Sequence, residues 1–344
     1  MPTIRVMRPR YHLLILFLSL CGTLPAQQPQ PTQRALQYWG NKDKYVETQA
    51  SVFLEHIGEV LAANPPTTRP SLARRQALML LDAIHHDTRL DSSAVVQQYL
   101  EACAWHIVDC LDAPMQKKME VYKVYNAGFV VRTSSATVAI DVTARKGRER
   151  LYADSTVQAL ASRCDALLVT HRHADHADPR VARAFTALGK PVFAPADFMK
   201  NDSLVTHIAP DTEADTLVRL RRSDLRVRIL PGHQDHLQCN HFVVTFPEKL
   251  TLAHLGDQWR KEDMAWIAQA YTRVPPVDLL IVDCWAQPLA EIIEGYRPRV
   301  VVTAHENELS HTIDHREAYW LTYYKTHDIS RPCVIMAPGE CYRR

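Results

Sequence analysis

The sequence predicts a mixed α/β fold, a sheet-rich sandwich with helices on its outer faces, preceded by a helical segment. Three observations carry this. Residues from about 31 to 113 place apolar side chains at helical spacing. From about residue 117 the texture changes to short β-type runs alternating with short helical stretches. Histidine-rich polar loops then follow the ends of apolar runs, as in "ALLVTHRHADHADP" (166–179).

At the N-terminus, Arg5, Arg8 and Arg10 form a positive stretch, and Leu13 to Leu20 an apolar one. With cleavage expected after Ala26, this reads as a signal peptide over residues 1–26, and the protein as exported, periplasmic or secreted. The apolar run is too short to span a bilayer, and Pro25 with the Gln-rich stretch ends it, so no stable membrane span is expected. Cys21 offers a lipoprotein reading, which is disfavoured because Leu20 precedes it where a small residue is expected. Residues 27–115 form the helical N-terminal region and 116–344 the main domain.

Within the helical region, Val52, Phe53, Ile57, Val60 and Leu61 mark a first helix, and Pro65, Pro66 and Pro70 break the pattern. "SLARRQALMLLDAIHH" and "SSAVVQQYLEACAWHIVDCL" restore it, with Asp91 or Ser92 as N-cap of the latter. His85, His86 and His106 lack partners at ligand spacing and read as structural or exposed. The helices are expected to pack against the sheet.

"MEVYKVYNAGFVVRTSSATVAIDV" then reads as strands with a Ser-Ser turn. "DALLVT" is a strand, "DPRVARAFTALG" a helix ending at Gly189, and "PVFAPA" a strand. "LRVRIL", "HFVVTF" and "LTLAHL" follow as strands and "KEDMAWIAQAYTR" as a helix. "VDLLIVDCW", "LAEIIEGY", "PRVVVTAH", "HREAYWLTYYKTH" and "PCVIMAP" complete the alternation.

The 344 residues are 47% hydrophobic and 23% charged, with a formal net charge of +2. No basic stripe points to nucleic acid, and nothing selects an oligomeric state. Of the eight cysteines none forms a C-x-x-C pair, which argues against a thiolate zinc finger. Cys103 and Cys110 lie two helical turns apart, roughly 10 Å, too far for a disulfide. Cys333 and Cys341 remain an open pairing, and most of the set reads as small buried hydrophobes.

The chemistry concentrates in the stretch just quoted. His171 and His173 are two apart, so an extended backbone points both rings the same way, and Asp175 and His176 follow in a turn. Three later residues also stand at strand ends: His233 in "ILPGHQDH", Asp257 behind a turn-permitting glycine in "LTLAHLGDQW", and His305 in "RVVVTAHENELSH". Neutral imidazoles and carboxylates suit zinc or a similar divalent ion. His236, Glu308, His311, Trp259, Trp285 and Asp283 are further candidates for cleft contacts.

H-x-H-x-D-H, a later His, an Asp in a Gly-Asp turn and a final His, in that order, resemble the metallo-β-lactamase superfamily. The resemblance covers about residues 117–344 and implies an αββα sandwich with a two-metal site at one edge. It implies that His171, His173 and His233 hold one ion and Asp175, His176 and His305 the other, with Asp257 bridging. Two such cations, roughly 3.5–4 Å apart, share a water and bring its pKa toward neutrality. The resulting hydroxide would attack a carbonyl or phosphorus centre, with Asp175 and Asp257 as the catalytic carboxylates. Zinc is the first expected ion and manganese the second.

The "HLGD" form around Asp257 looks most like the lactonase-type branch, so a small ester or lactone is the expected substrate. Phosphodiester hydrolysis, of phospholipid or nucleotide type, is the rival within the same chemistry. A catalytically silent metal-binding protein is the rival outside it. Flavodiiron members carry Glu where this chain has His173, which argues against iron redox chemistry. True β-lactamases generally lack the bridging Asp, which argues against antibiotic hydrolysis.

Overall fold

Apolar residues buried on both faces make the central strands. In the computed structural model, residues 41–146, 149–309 and 311–344 are described, and Val46–Arg344 forms one unit. The expected signal peptide lies outside the described residues.

The first sheet begins as an antiparallel meander of β1 (Glu120–Tyr125), β2 (Gly128–Arg132) and β3 (Thr137–Ile140). A two-residue ladder, β4 (Arg145–Lys146) with β5 (Glu149–Arg150), stands outside it. The sheet continues in parallel through β6 (Ala166–Leu168), β7 (Val192–Pro195) and β8 (Thr206–Ile208). The second sheet pairs β9 (Ala214–Arg219), β10 (Asp224–Leu230), β13 (His241–Thr245) and β14 (Thr251–His254) antiparallel. It then runs parallel through β15 (Leu279–Asp283), β16 (Val300–Ala304) and β17 (Cys333–Val334). A small hairpin, β11 (His233–Gln234) with β12 (Leu237–Gln238), leaves the end of β10. Finally β18 (Cys341–Arg343) returns to the first sheet, antiparallel to β1.

The two sheets face each other across one apolar layer. Val121, Phe129, Val131 and Ile140 from the first meet Val227, Phe242, Val244, Leu279 and Val302 from the second. The outer face of the first sheet is covered by α1 (Lys42–Ala63), α2 (Leu72–His85), α3 (Ala94–Asp112), α4 (Asp154–Arg163), α5 (Pro179–Ala187) and α8 (Tyr319–Thr326). The second is covered by α6 (Met264–Ile267) and α7 (Leu289–Tyr296). The result is the expected αββα layering.

Several local expectations are corrected. The buried stripe of α1 is Ala50, Leu54, Ile57 and Leu61, while Val52 and Phe53 face outward. Ser93, not Asp91 or Ser92, caps α3, its hydroxyl accepting from the Val95 amide at 3.1 Å. "KEDMAWIAQAYTR" breaks into two 3₁₀ turns flanking α6. There α7 packs so closely that a Cβ on Gly295 would lie 2.0 Å from the Ile267 carbonyl oxygen. Cys333 and Cys341 are free thiols, as are the other five described cysteines. Among the described residues no helix is long and apolar enough to cross a membrane.

Candidate metal centre

The expected ligands follow the ends of β6, β10, β14 and β16, and three of these strands, β6, β14 and β16, run parallel to a neighbour, so their C-terminal ends open on one edge. From the first sheet, β6 delivers His171, and the turn after it delivers His173, Asp175 and His176. From the second, β14 delivers Asp257 and β16 delivers His305. Gly256 makes the Asp257 turn possible. It has φ +54°, and a Cβ there would lie 2.6 Å from both the Cys239 sulfur and the Thr170 hydroxyl. His305 itself sits at φ +73°, a strained conformation for a non-glycine residue.

The ligand atoms converge in two groups that share Asp257. Asp175, His176, Asp257 and His305 offer atoms within 4.8 Å of one another, as do His171, His173 and Asp257. His176 Nε2 lies 3.1 Å from Asp257 Oδ1 and 3.2 Å from Asp175 Oδ2. The other Asp257 oxygen is 3.5 Å from both His171 Nε2 and His305 Nε2. Asp257 is thus common to both groups.

Two side chains orient these ligands. Asp141, at the end of β3, takes His176 Nδ1 at 2.9 Å and accepts from the Thr170 amide and hydroxyl at 2.8 and 2.6 Å. That contact turns His176 Nε2 toward the centre, the usual device for fixing a ligating imidazole. Asn126, in the β1–β2 turn, donates to Asp175 Oδ2 at 3.2 Å, and its carbonyl accepts from the His305 amide at 3.3 Å. Neither is marked in the sequence beyond an Asp closing an apolar strand and an Asn in a turn.

His233 joins neither group. Its Nδ1 faces the Asp263 carboxylate at 3.0 Å, and its Nε2 lies 3.1 Å from Asp211. The neighbouring Gln234 faces the centre instead, its amide donating to Asp257 at 3.2 Å. Asp283, Trp259, Trp285, His311 and His315 complete a cleft of about 240 Å³ with His173, Asp175, Gln234, Asp257 and His305. His236 is exposed beside Asp235, and Glu308 is buried beside Tyr125, both away from this cleft.

The residues fit divalent cations. His171 Nε2, His176 Nε2, Asp257 Oδ1 and Gln234 Oε1 are buried and make no hydrogen bond among the described residues. Buried polar atoms are nearly always hydrogen-bonded, so a convergent set of exceptions calls for an ion. Burial, reinforced by His176, pushes the His171 imidazole down to about 3, leaving it neutral as a ligand must be. Burial opposes charge on His176 too, but Asp257, Asp175 and Asp141 overcome it and raise its pKa well above the usual histidine range. His305 is raised to about 10 in the same way, against its burial, chiefly by Asp257 and Asp175. Without a metal, protons on these two rings answer the carboxylates.

No protein-family model matches the chain, and neither does any curated protein. Solved structures do. Igni18, a metallo hydrolase from the hyperthermophilic archaeon Ignicoccus hospitalis, superimposes with a TM-score of 0.51 at 17% identity, covering 65% of this chain and 97% of that one. An isothiocyanate hydrolase from Delia radicum gut bacteria gives 0.49 at 15% identity, covering 65% and 98%. CmlA, a diiron β-hydroxylase from Streptomyces venezuelae, gives 0.46 at 14%, covering 67% of this chain and 55% of that one. The layering and the first of these superpositions define the class: the chain has an αββα sandwich fold shared with a metallo hydrolase.

Proposed function

We propose that the protein is a metal-dependent hydrolase of a small ester or lactone. One observation carries the reading: unpartnered imidazole and carboxylate atoms converge at the floor of a cleft. At about 240 Å³ that cleft suits a small molecule. His171, His173 and Asp257 would hold one ion, and Asp175, His176, His305 and Asp257 the other, with zinc expected first and manganese second. The chemistry such a pair supplies is acidification of a water molecule and polarisation of the electrophile.

The chain's own groups do the rest. Trp285 and Trp259 wall the cleft and hold the acyl portion away from bulk water. Asp175, held by Asn126 and His305, is placed to take the proton of the attacking water. As the water oxygen bonds to the carbonyl carbon, the carbon–oxygen bond to the leaving alcohol breaks, and that proton passes to the alkoxide. Export of the chain, read from residues 1–26, belongs to the same proposal and is checked by fractionation and N-terminal sequencing of the native protein.

The test is metal content of the purified protein alongside hydrolysis of a lactone, an aryl ester and bis-p-nitrophenyl phosphate. Bound divalent metal with ester or lactone turnover, both lost in His176→Ala, is the expected result. Turnover of the phosphodiester alone would replace the substrate class. No metal after reconstitution would end the metal-centre reading itself.

A further inference from the structure

The hairpin β11–β12 decides which of two adjacent side chains reaches the centre. Successive residues of a strand point to opposite faces, so His233 and Gln234 cannot both face the ions. The register pairs His233 with Gln238 and Gln234 with Leu237. The His233 backbone is pinned in this setting. Its carbonyl accepts from the Trp259 and Arg260 amides at 2.9 and 3.1 Å, and its amide donates to Gln258 Oε1 at 3.1 Å.

The imidazole of His233 is committed as well. Asp263 holds Nδ1, Nε2 is turned to Asp211 at 3.1 Å and not toward Asp257, and the Gln258 carboxamide ties the Asp263 carboxylate, at 3.1 Å, to His241. This network lies behind the centre. Turning His233 inward would strand Asp263, which is 7% exposed. Gln234 has the opposite character. Its Nε2 donates to the shared Asp257, and its Oε1 is buried with no hydrogen-bond partner among the described residues, in the cleft that holds His173 and Asp175.

We propose that Gln234, through its carboxamide oxygen, and not His233, completes the His171–His173–Asp257 subsite. The inference rests on the metal-centre reading and deepens it. A neutral amide oxygen is a weaker and harder donor than an imidazole. The two subsites are therefore unequal. The Asp175–His176–His305–Asp257 side fills first, and the Gln234 side binds more weakly and tolerates manganese better relative to zinc.

The test is zinc and manganese titration of the full-length protein against a chromophoric chelator, with metal per chain measured independently. The wild type is expected to show one tight and one weak site. Gln234→His should tighten the weak site for zinc by roughly tenfold or more, and Gln234→Ala should lose it while the tight site persists. His233→Gln, which keeps a hydrogen-bonding group beside Asp263, should retain both sites. If His233→Gln loses the weak site while Gln234→Ala keeps it, the ligand assignment is overturned and the metal centre stands. Two equal sites in the wild type, unchanged in Gln234→Ala, would also overturn it. A wild type that binds neither ion would remove the centre and this inference together.

Discussion

The metal centre and the layer behind it both bury ionisable side chains, and they neutralise them in opposite ways. In the back layer Glu306, Glu340 and Asp91 each have a cation supplied by the chain, while the buried Asp82 accepts from Asn307 and from the Tyr319 and Trp320 amides. Arg74 reaches both Glu340 oxygens and also donates to the Ile335 and Asn64 carbonyls. Lys123 pairs with Glu306, and Arg316 pairs with Asp91 while donating to the His85 and Leu309 carbonyls. At the cleft, Asp141, Asp175 and Asp257 pair with histidines and with no Lys or Arg, and several of the facing atoms make no hydrogen bond among the described residues. A set of charges complete in itself is structural. A set whose only counter-charge is protonated histidine is a candidate metal site, because desolvated carboxylates are costly to keep without a cation.

That contrast is broken most forcefully by removing a cation from the back layer. Arg74→Met leaves Glu340 buried without a partner and should cost about 3–5 kcal/mol in urea unfolding, with metal content unchanged. Loss of metal together with stability would merge the two regions into one. The converse treatment is to supply the cation the centre lacks. Zinc at a hundredfold excess over its dissociation constant should stabilise the protein by about 2.7 kcal/mol, and chelation should reverse this. The gain should vanish in His176→Ala and persist in Arg74→Met.

Asp141 sharpens the comparison, because it is a buried carboxylate that serves the centre without belonging to either ligand group. Asp141→Asn keeps the shape but weakens the hold on His176 Nδ1, and metal affinity should fall by about 10- to 100-fold. An unchanged titration would make Asp141 part of the structural layer. The smallest effect concerns His85 on α2, which is buried with neither ring nitrogen hydrogen-bonded among the described residues. Burial, then His86 and Arg316, lowers its pKa to about 3. The native state keeps it neutral while the unfolded chain protonates it. Its contribution to stability is therefore present above pH 6.5 and lost as pH falls toward 3. His85→Leu should spare about 1.4 kcal/mol of the stability lost between pH 6 and 5, read from urea midpoints. Equal losses in both proteins would show that the ring is hydrated.

The two regions were unequally legible in the sequence. Ligands packed into a few residues after a strand, His171 to His176, announce themselves by density, and the structure gathers them. Asp257 and His305 are readable because each follows a strong apolar run. His233 stands apart from both groups, facing Asp263 and Asp211 while the hairpin register brings Gln234 to Asp257, and register is set by pairing that local pattern does not contain. Asp141, Asn126 and the ion pairs of the back layer depend on contacts across the fold, so no local spacing reveals them. The edge strands β8, β9 and β18 and the β11–β12 hairpin were missed for a related reason. β9, for example, alternates exposed and half-buried positions with one buried valine.

The placement of β18 bears on how the chain is made. Its residues 341–343 pair with 120–122 of β1, and the Arg344 side chain continues to the Asp278 carbonyl at 2.6 Å. The ribosome releases β1 long before its partner exists. Until residues 341–343 emerge, the nascent domain therefore carries an open strand edge beside apolar surface, the kind of feature that chaperones shield and that aggregation exploits. Residues 341–343 are the ones that close it.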